Sequence, residues 1–325
     1  MAMENSKATP VSETSGATSS RRHALAVMLG AWHWFPETLS AADAGATVRL
    51  AISESLVADV NINDARAAML IWIKRMEQDL NVAVEINPKV FDTTQEVLRR
   101  ARGGQLDTVA LNVIEYRQIA DVLDPSQIVA ETGAAGQAQY IVLAKRNSGI
   151  QHLGDLRGRR LFVLKAPKMC VASAWLSTIL DEGHFGPSEQ FFGSVITDAK
   201  VSRVVLPVFF GQADACLTSK QGFDTMCELN PQVARDLTVI ASSPAMVVTF
   251  YAFHKNYKSM SRERFAKVYS DLPSNVAGRQ LATLFQFESL VVNDIACLAP
   301  ALAVLEKAER ARSRPGAGSG KGSGE

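Results

Sequence analysis

Gly104-Gln105-Leu106-Asp107-Thr108-Val109-Ala110-Leu111-Asn112 and Gly211-Gln212-Ala213-Asp214-Ala215-Cys216-Leu217-Thr218-Ser219 are two versions of one phrase. In each, Gly, Gln and Asp lead into a run fit for a buried strand, and the run stops at a short polar residue. Each copy also follows a segment that reads as a helix. A glycine after a helix supplies the left-handed cap that turns the chain sharply. The apolar run then enters a sheet covered on both faces. The pair therefore implies two α/β lobes of similar design. Ligands of open α/β sheets sit beyond the carboxyl ends of the strands, so Asn112 and Ser219 are expected on opposing walls of one cleft.

Upstream of the first copy, Val48 to Ile52 reads as a strand ending at Ser53-Glu54-Ser55. Asn61 or Asn63 can cap the next helix, with Asp64 in its first turn. Met69, Ile73, Met76 and Leu80 share one face of that helix. Val82 to Ile86 is a second strand. Thr93 and Glu96 have capping-box spacing, and the helix they open closes on Arg99, Arg100 and Arg102 before Gly103-Gly104. Beyond the phrase a helix is expected from about Val113 to Leu123 and a strand over Ile128 to Ala130. Strands alternating with helices at this spacing indicate a parallel, doubly wound sheet.

The second lobe opens with a strand from Tyr140 to Ala144. Leu153-Gly154-Asp155-Leu156-Arg157-Gly158 then precedes a strand over Leu161 to Leu164. The loop Lys165 to Cys170 leads into a helix from about Val171 to Glu182. A helix near Ser202 to Phe210 contains Pro207, which should kink it or delay its start. After the second phrase come a helix around Phe223 to Leu229 and a strand from Leu237 to Ile240. Met246 to Phe253 is β-forming and carries the chain back to the first lobe, where the helices after Met260 are expected to pack. The reading is an α/β chain of two doubly wound lobes joined by two hinge crossings, near Gln139–Ala144 and Met246–Phe253. Its divisions are a leader over 1–44, lobe I over 45–138, lobe II over 139–246, a return to lobe I with C-terminal helices over 247–312, and a flexible Gly/Ser-rich tail over 313–325.

In the leader, Ser, Thr, Ala and Glu dominate the first twenty residues. Ser20-Arg21-Arg22-His23-Ala24-Leu25 then precedes an apolar run to about Phe35 and the small residues Ala42-Asp43-Ala44. This is the order of a secretory signal, and the paired arginines resemble a twin-arginine export signal. Of the 325 residues, 47% are hydrophobic and 21% charged, and the net charge is +1. That balance gives no electrostatic reason to expect nucleic acid. No stretch approaches the roughly 20 apolar residues that cross a bilayer. Cys170, Cys216, Cys227 and Cys297 lie far apart without zinc-ribbon spacing, and three full disulfide pairings are open. His152, His184 and His254 are scattered, and no nucleophile elbow or P-loop is present. The sequence therefore argues against an enzyme and implies no cofactor or metal.

Three stretches together carry a family resemblance: Gly104 to Asp107 with Asn112 to Tyr116, Leu153 to Gly158 before a strand, and Gly211 to Asp214. The chain resembles periplasmic solute-binding proteins of the phosphate/phosphite/phosphonate family, the receptors of ABC importers, over roughly Val48 to Lys258. The resemblance implies a type II periplasmic-binding-protein fold and a monomer that closes over a small oxyanion and delivers it to an ABC permease. Where relatives carry a Ser/Thr-rich loop this chain has Lys168-Met169-Cys170, and Ser219 stands where relatives have an acid.

The candidate ligand-binding residues are Ser53, Glu54, Asn112, Tyr116, Lys168, Met169, Cys170 and Ser219. Lys168 supplies positive charge, and the helix start near Cys170, Val171 and Ala172 offers free N–H groups to an anion. Ser53, Glu54, Asn112, Tyr116 and Ser219 would add hydrogen bonds. Each has a structural alternative: Lys168 as a solvated loop lysine, Tyr116 as a surface ring, Cys170 as a small core residue. Cys170 at a helix start is expected to have a lowered thiol pKa. That feature suits a second reading, a sensor of the same fold coupled to a membrane histidine kinase and responsive to a thiophilic oxyanion such as arsenite.

Overall fold

A computed structural model of the chain describes residues 47–131, 136–271, 278–279, 282–283 and 290–313. The expected leader, and all of the expected tail except Ser313, lie outside these residues.

The first sheet begins with β1 (Thr47–Ile52), α1 (Ile62–Leu80), β2 (Ala83–Glu85), α2 (Thr94–Arg102), β3 (Thr108–Asn112), α3 (Val113–Ile119) and β4 (Leu123–Glu131). Asn61 is the cap of α1, accepting from the N–H groups of Asn63 and Asp64. The helix ends at Asn81 in the left-handed region, φ 52°. Its stripe Met69, Trp72, Ile73, Met76 and Leu80 is buried against β1 and the later strands. At about 1.5–3 kcal/mol for each such side chain removed from water, this stripe and not intrinsic propensity holds α1 in place.

The chain leaves the first sheet after Glu131 and builds a second from β5 (Tyr140–Lys145), β6 (Arg160–Leu164), α4 (Ala172–Glu182), α5 (Ser188–Phe191), β7 (Ser194–Asp198), α6 (Val201–Phe209), β8 (Ala215–Ser219), α7 (Lys220–Leu229), α8 (Pro231–Asp236) and β9 (Leu237–Ser242). It returns with β10 (Thr249–His254), α9 (Arg262–Ser270), β11 (Leu290–Asp294) and α10 (Ala299–Ser313). The strand orders are β11-β4-β10-β3-β1-β2 and β7-β6-β8-β5-β9.

The two orders correspond. In each sheet three strands run parallel, β2-β1-β3 and β7-β6-β8. In each, the strand that arrives from the other sheet lies antiparallel beside the third, β10 against β3 and β5 against β8. The sheets are thus mixed and not purely parallel. A strand entering from the opposite lobe meets the sheet at its carboxyl edge and must run the other way. The two connections also pair with each other, Ala138 and Met246 exchanging backbone bonds of 2.8 and 2.9 Å.

The repeated phrase does the same local work twice. Gly104 and Gly211 adopt φ +65° and +72°. Three residues on, Asp107 Oδ2 accepts from the Arg49 backbone N–H at 2.8 Å, and Asp214 Oδ2 accepts from the Arg160 backbone N–H at 2.9 Å. Each aspartate thereby laces the start of its strand to the neighbouring parallel strand, β1 or β6. At the far end Asn112 caps α3 and Ser219 caps α7.

Four expectations are corrected. β7 and β11 were not anticipated; β7 is an exposed edge strand whose mixed Ser-Val-Ile-Thr-Asp composition carries little burial signal. α3 stops at Ile119 and gives way to a tighter turn over Ala120–Val122. Helix α6 runs through Pro207, which sits in its last turn, where the Pro207 carbonyl accepts from Gln212 and Ala213. The last helix does not pack on the first sheet: α10 lies along α4, with Lys307 bonded to Glu182 at 2.9 Å. Arg117 of α3 reaches α10 through paired bonds of 2.7 and 2.8 Å to Glu309.

Candidate functional site

A cavity of about 780 Å³ opens beyond the carboxyl ends of the second sheet's parallel strands. Leu164 at the tip of β6, the turn Ala166 to Met169, Ala199 after β7, and Ser219 with the first turns of α7 form one wall. The facing wall comes from Leu56 and Asp59 after β1, Glu131 at the tip of β4, and Gln137 to Gln139 in the connection between sheets. Arg279, Ala282 and Thr283 also line it.

Lys168 Nζ lies 3.2 Å from Glu131 Oε2, their side chains 19% and 7% exposed. One residue follows β6 and the other ends β4, so the pair spans the two sheets at the cavity. The turn is fixed from within its own lobe by the buried Tyr140 hydroxyl, which donates to the Lys168 carbonyl at 2.9 Å. The charged lining described is balanced, Asp59 and Glu131 against Lys168 and Arg279. Burial raises the Asp59 carboxyl above its usual range, partly offset by a backbone hydrogen bond.

Lys168, Met169 and Ser219 line this cavity. Ser219 Oγ accepts from the Gly222 N–H at 3.1 Å. The other sequence candidates lie elsewhere. Ser53 is fully buried and donates to Glu115 Oε1 at 2.6 Å. Asn112 accepts from the N–H groups of Ile114 and Glu115 and donates to Ser55 Oγ. Thr94 donates to Glu115 Oε1 at 2.5 Å, Ser55 Oγ bonds Oε2 at 3.2 Å, and the Asn112 N–H donates to Oε2 at 3.0 Å. Lobe I thus spends its strand-tip hydroxyls on one buried carboxylate. Asn112 and Ser219 occupy matching positions, but only Ser219 lines the cavity. Tyr116 is buried edge-on to Phe250, ring centroids 5.5 Å apart, and burial raises its hydroxyl pKa. Glu54 is exposed in a short turn whose Leu56 faces the cavity.

Cys170 overturns its expectation. Its thiol is pushed up to about 12, first by burial and then by the negative charge of Glu115. Cys170 is partly buried and packs against a core cluster drawn from both sheets, and among the described residues the cavity lining in this turn stops at Met169. Val171 and Ala172 are 0% and 2% exposed and do not line the cavity. The Tyr140 hydroxyl, which donates to the Lys168 carbonyl, also lies near the Val171 N–H. The expected thiolate is therefore absent. All four cysteines are free among the described residues.

Glu131, Asp59 and Gln139 were missed. Glu131 was legible, since the rule that pointed to Ser53 at a strand's carboxyl tip applies equally to the residue after Ala130. Asp59 sits in an irregular turn and carries no such signal. Among the described residues no helix is long and apolar enough to cross a membrane, and no group of His, Cys, Asp or Glu is arranged to hold a metal ion.

The fold recurs in solved structures. A binding-protein component of an ABC phosphonate transporter from Pseudomonas aeruginosa is 13% identical over 82% of this chain and 88% of its own, with a TM-score of 0.52. PhnD1 from Prochlorococcus marinus, in complex with methylphosphonate, is 13% identical over 82% and 99%, with a TM-score of 0.54. XAC2383 from Xanthomonas citri, bound to ATP, is 14% identical over 82% and 98%, with a TM-score of 0.56. No curated protein matches the chain. A family model described as ABC transporter, phosphonate, periplasmic substrate-binding protein matches residues 56–295, and the chain belongs to that family. The family's members are binding proteins and not enzymes; they work with ABC permease components in the periplasm.

Proposed function

We propose that this chain captures a compact, singly charged oxyanion in the cavity between its sheets and presents it to an ABC permease. The observation that carries the reading is Lys168, a mostly buried ammonium at the tip of β6 that lines the cavity. Because Glu131 already balances it, a monoanion fits the lining better than a dianion. Ser219 accepts the Gly222 N–H and so keeps its own proton for a ligand oxygen. Asp59, whose carboxyl is raised by burial, lines the facing wall. The paired connections at Ala138 and Met246 would serve as the hinge. A ligand touching both walls favours the closed state because it binds that state better. Export by the twin-arginine route and a monomeric receptor complete the proposal. The kinase-coupled sensor of thiophilic anions loses its expected chemistry with Cys170 protonated.

The test is a thermal-shift screen of the mature protein with phosphate, phosphite, methylphosphonate, small sulfonates and carboxylates. A true ligand at a hundredfold excess over its Kd stabilises by about 2.7 kcal/mol. Stabilisation by one of these anions, lost in Lys168→Gln, supports the reading; no stabilisation by any of them sinks it.

A further inference from the structure

The three parallel strands of the second sheet share a feature that the first sheet lacks. Lys165 follows β6, Lys220 follows β8, and Lys200 lies two residues beyond the tip of β7. Each lysine sits between two residues that line the large cavity: Leu164 and Ala166, Ser219 and Gln221, Ala199 and Val201. The lysines themselves do not line it. All three are exposed, so their side chains stand at the mouth and not inside. The strands are neighbours in the order β7-β6-β8, about 5 Å apart. The Lys165 N–H donates to the Asp198 carbonyl at 2.9 Å, which draws two of the turns together. No lysine stands within two residues of the tips of β1, β2, β3 or β4.

The charges at this mouth are unevenly matched. Lys220 pairs with Asp224 at 2.5 Å, and Arg203 lies 3.6 Å from Asp198. Among the described residues Lys165 and Lys200 form no ion pair. Four cations, Lys165, Lys200, Arg203 and Lys220, therefore stand beside two acids. The interior gives an approaching anion no such pull, because its described charges balance and the chain as a whole carries only +1. A mouth lined by one sign of charge focuses the field and raises association rates by roughly 10- to 1,000-fold. Glu54 is exposed on the facing side, so the pull runs along the lobe II wall, which leads to Lys168. We propose that Lys165, Lys200 and Lys220 form a capture rim, which speeds the entry of an anion without contacting it once bound. This inference rests on the oxyanion reading of the large cavity.

Phosphorus NMR exchange measurements on the mature protein with phosphate, phosphite and methylphosphonate give association and dissociation rates separately. The test variant combines Lys165→Gln, Lys200→Gln and Lys220→Gln. At about 0.01 M salt, where charges act over about 30 Å, it is expected to associate about tenfold more slowly, the lower end of such effects. Its dissociation rate should stay unchanged, which also shows that it is folded. At about 1 M salt, where charges act over only about 3 Å, the variant and the unaltered protein should associate equally fast. Arg at the same three positions should keep the fast association, since the charge carries it. An unchanged association rate in the Gln variant at low salt overturns the rim and leaves the lysines to a docking partner. A loss that appears in dissociation overturns it too, because the lysines would then touch the bound anion. In either case the oxyanion site stands. No binding of any of the three anions by the unaltered protein overturns both.

Discussion

Lys168 and Glu131 concentrate the logic of the site in two side chains. Each is mostly withdrawn from water, and each is tolerable there because of the other. Breaking a buried pair costs about 3–5 kcal/mol when one charge is left behind. Lys168→Gln is therefore expected to lower the apo protein's stability in urea titration as well as its affinity for anions. The affinity loss should be about 10- to 100-fold, the worth of a charge-assisted hydrogen bond. Asp59 gives the site a pH dependence of definite sign. Its carboxyl is raised in the folded chain, so the folded state favours the protonated form. Stability is lost as pH rises from the ordinary aspartate range through the raised value. Anion affinity is expected to fall over the same window, because the Asp59 carboxyl gains a charge like the ligand's. Asp59→Asn should flatten both profiles; calorimetry across the acid range, with unchanged slopes in the variant, would refute this. Cys170 makes the opposite kind of prediction. With its thiol pushed up to about 12, it should resist iodoacetamide at neutral pH in the native protein. Peptide mass spectrometry showing rapid native labelling of Cys170 would contradict the packing described.

At the scale of elements, the repeated phrase was the most legible part of the sequence. It encodes a turn, a strand and a cap in nine residues, and all three are local chemistry. Gly104 and Gly211 have open space where a Cβ would go, so only their positive φ resists substitution. Gly211→Ala should accordingly cost about 1–2 kcal/mol, the penalty of a left-handed L-residue, read as a shift of the urea midpoint. Most strands and helices were legible for similar reasons, through periodicity and caps. What failed depended on tertiary partners. The antiparallel course of β5 and β10 follows from which lobe each strand comes from, which periodicity does not report. The cleft-facing residues of lobe I failed for another reason. A polar residue at a strand tip looks the same in sequence whether it lines the cavity, as Ser219 does, or meets a buried carboxylate, as Ser53 and Asn112 do. Glu115 decided that outcome: its spacing from Asn112 marks it as the acid of a capping box, but not as the partner of Ser53, Ser55 and Thr94, which come to it from elsewhere in the chain.

The described residues form two sheets facing one chamber, with α10 laid along one lobe and tied to the other. Lys307 and Glu309 are two residues apart on that helix and reach Glu182 and Arg117 respectively. Both contacts are exposed, where ion pairs contribute about 0–1 kcal/mol, so the tie should limit how the lobes move more than how stably they fold. Lobe closure predicts a smaller radius of gyration in solution scattering when a stabilising ligand is added. Unchanged scattering at saturation would mean that the chamber fills without the lobes moving.

The strand arrangement has a temporal side. Sheet two is drawn from one continuous stretch between Tyr140 and Ser242, while sheet one keeps a place in its middle for β10, between β3 and β4. During synthesis the amino-terminal half must therefore wait, with β3 and β4 unbridged, until the carboxyl-terminal quarter emerges to be slotted between them. The later-made half is ready first, and any interruption after Ser242 strands the earlier one unfinished.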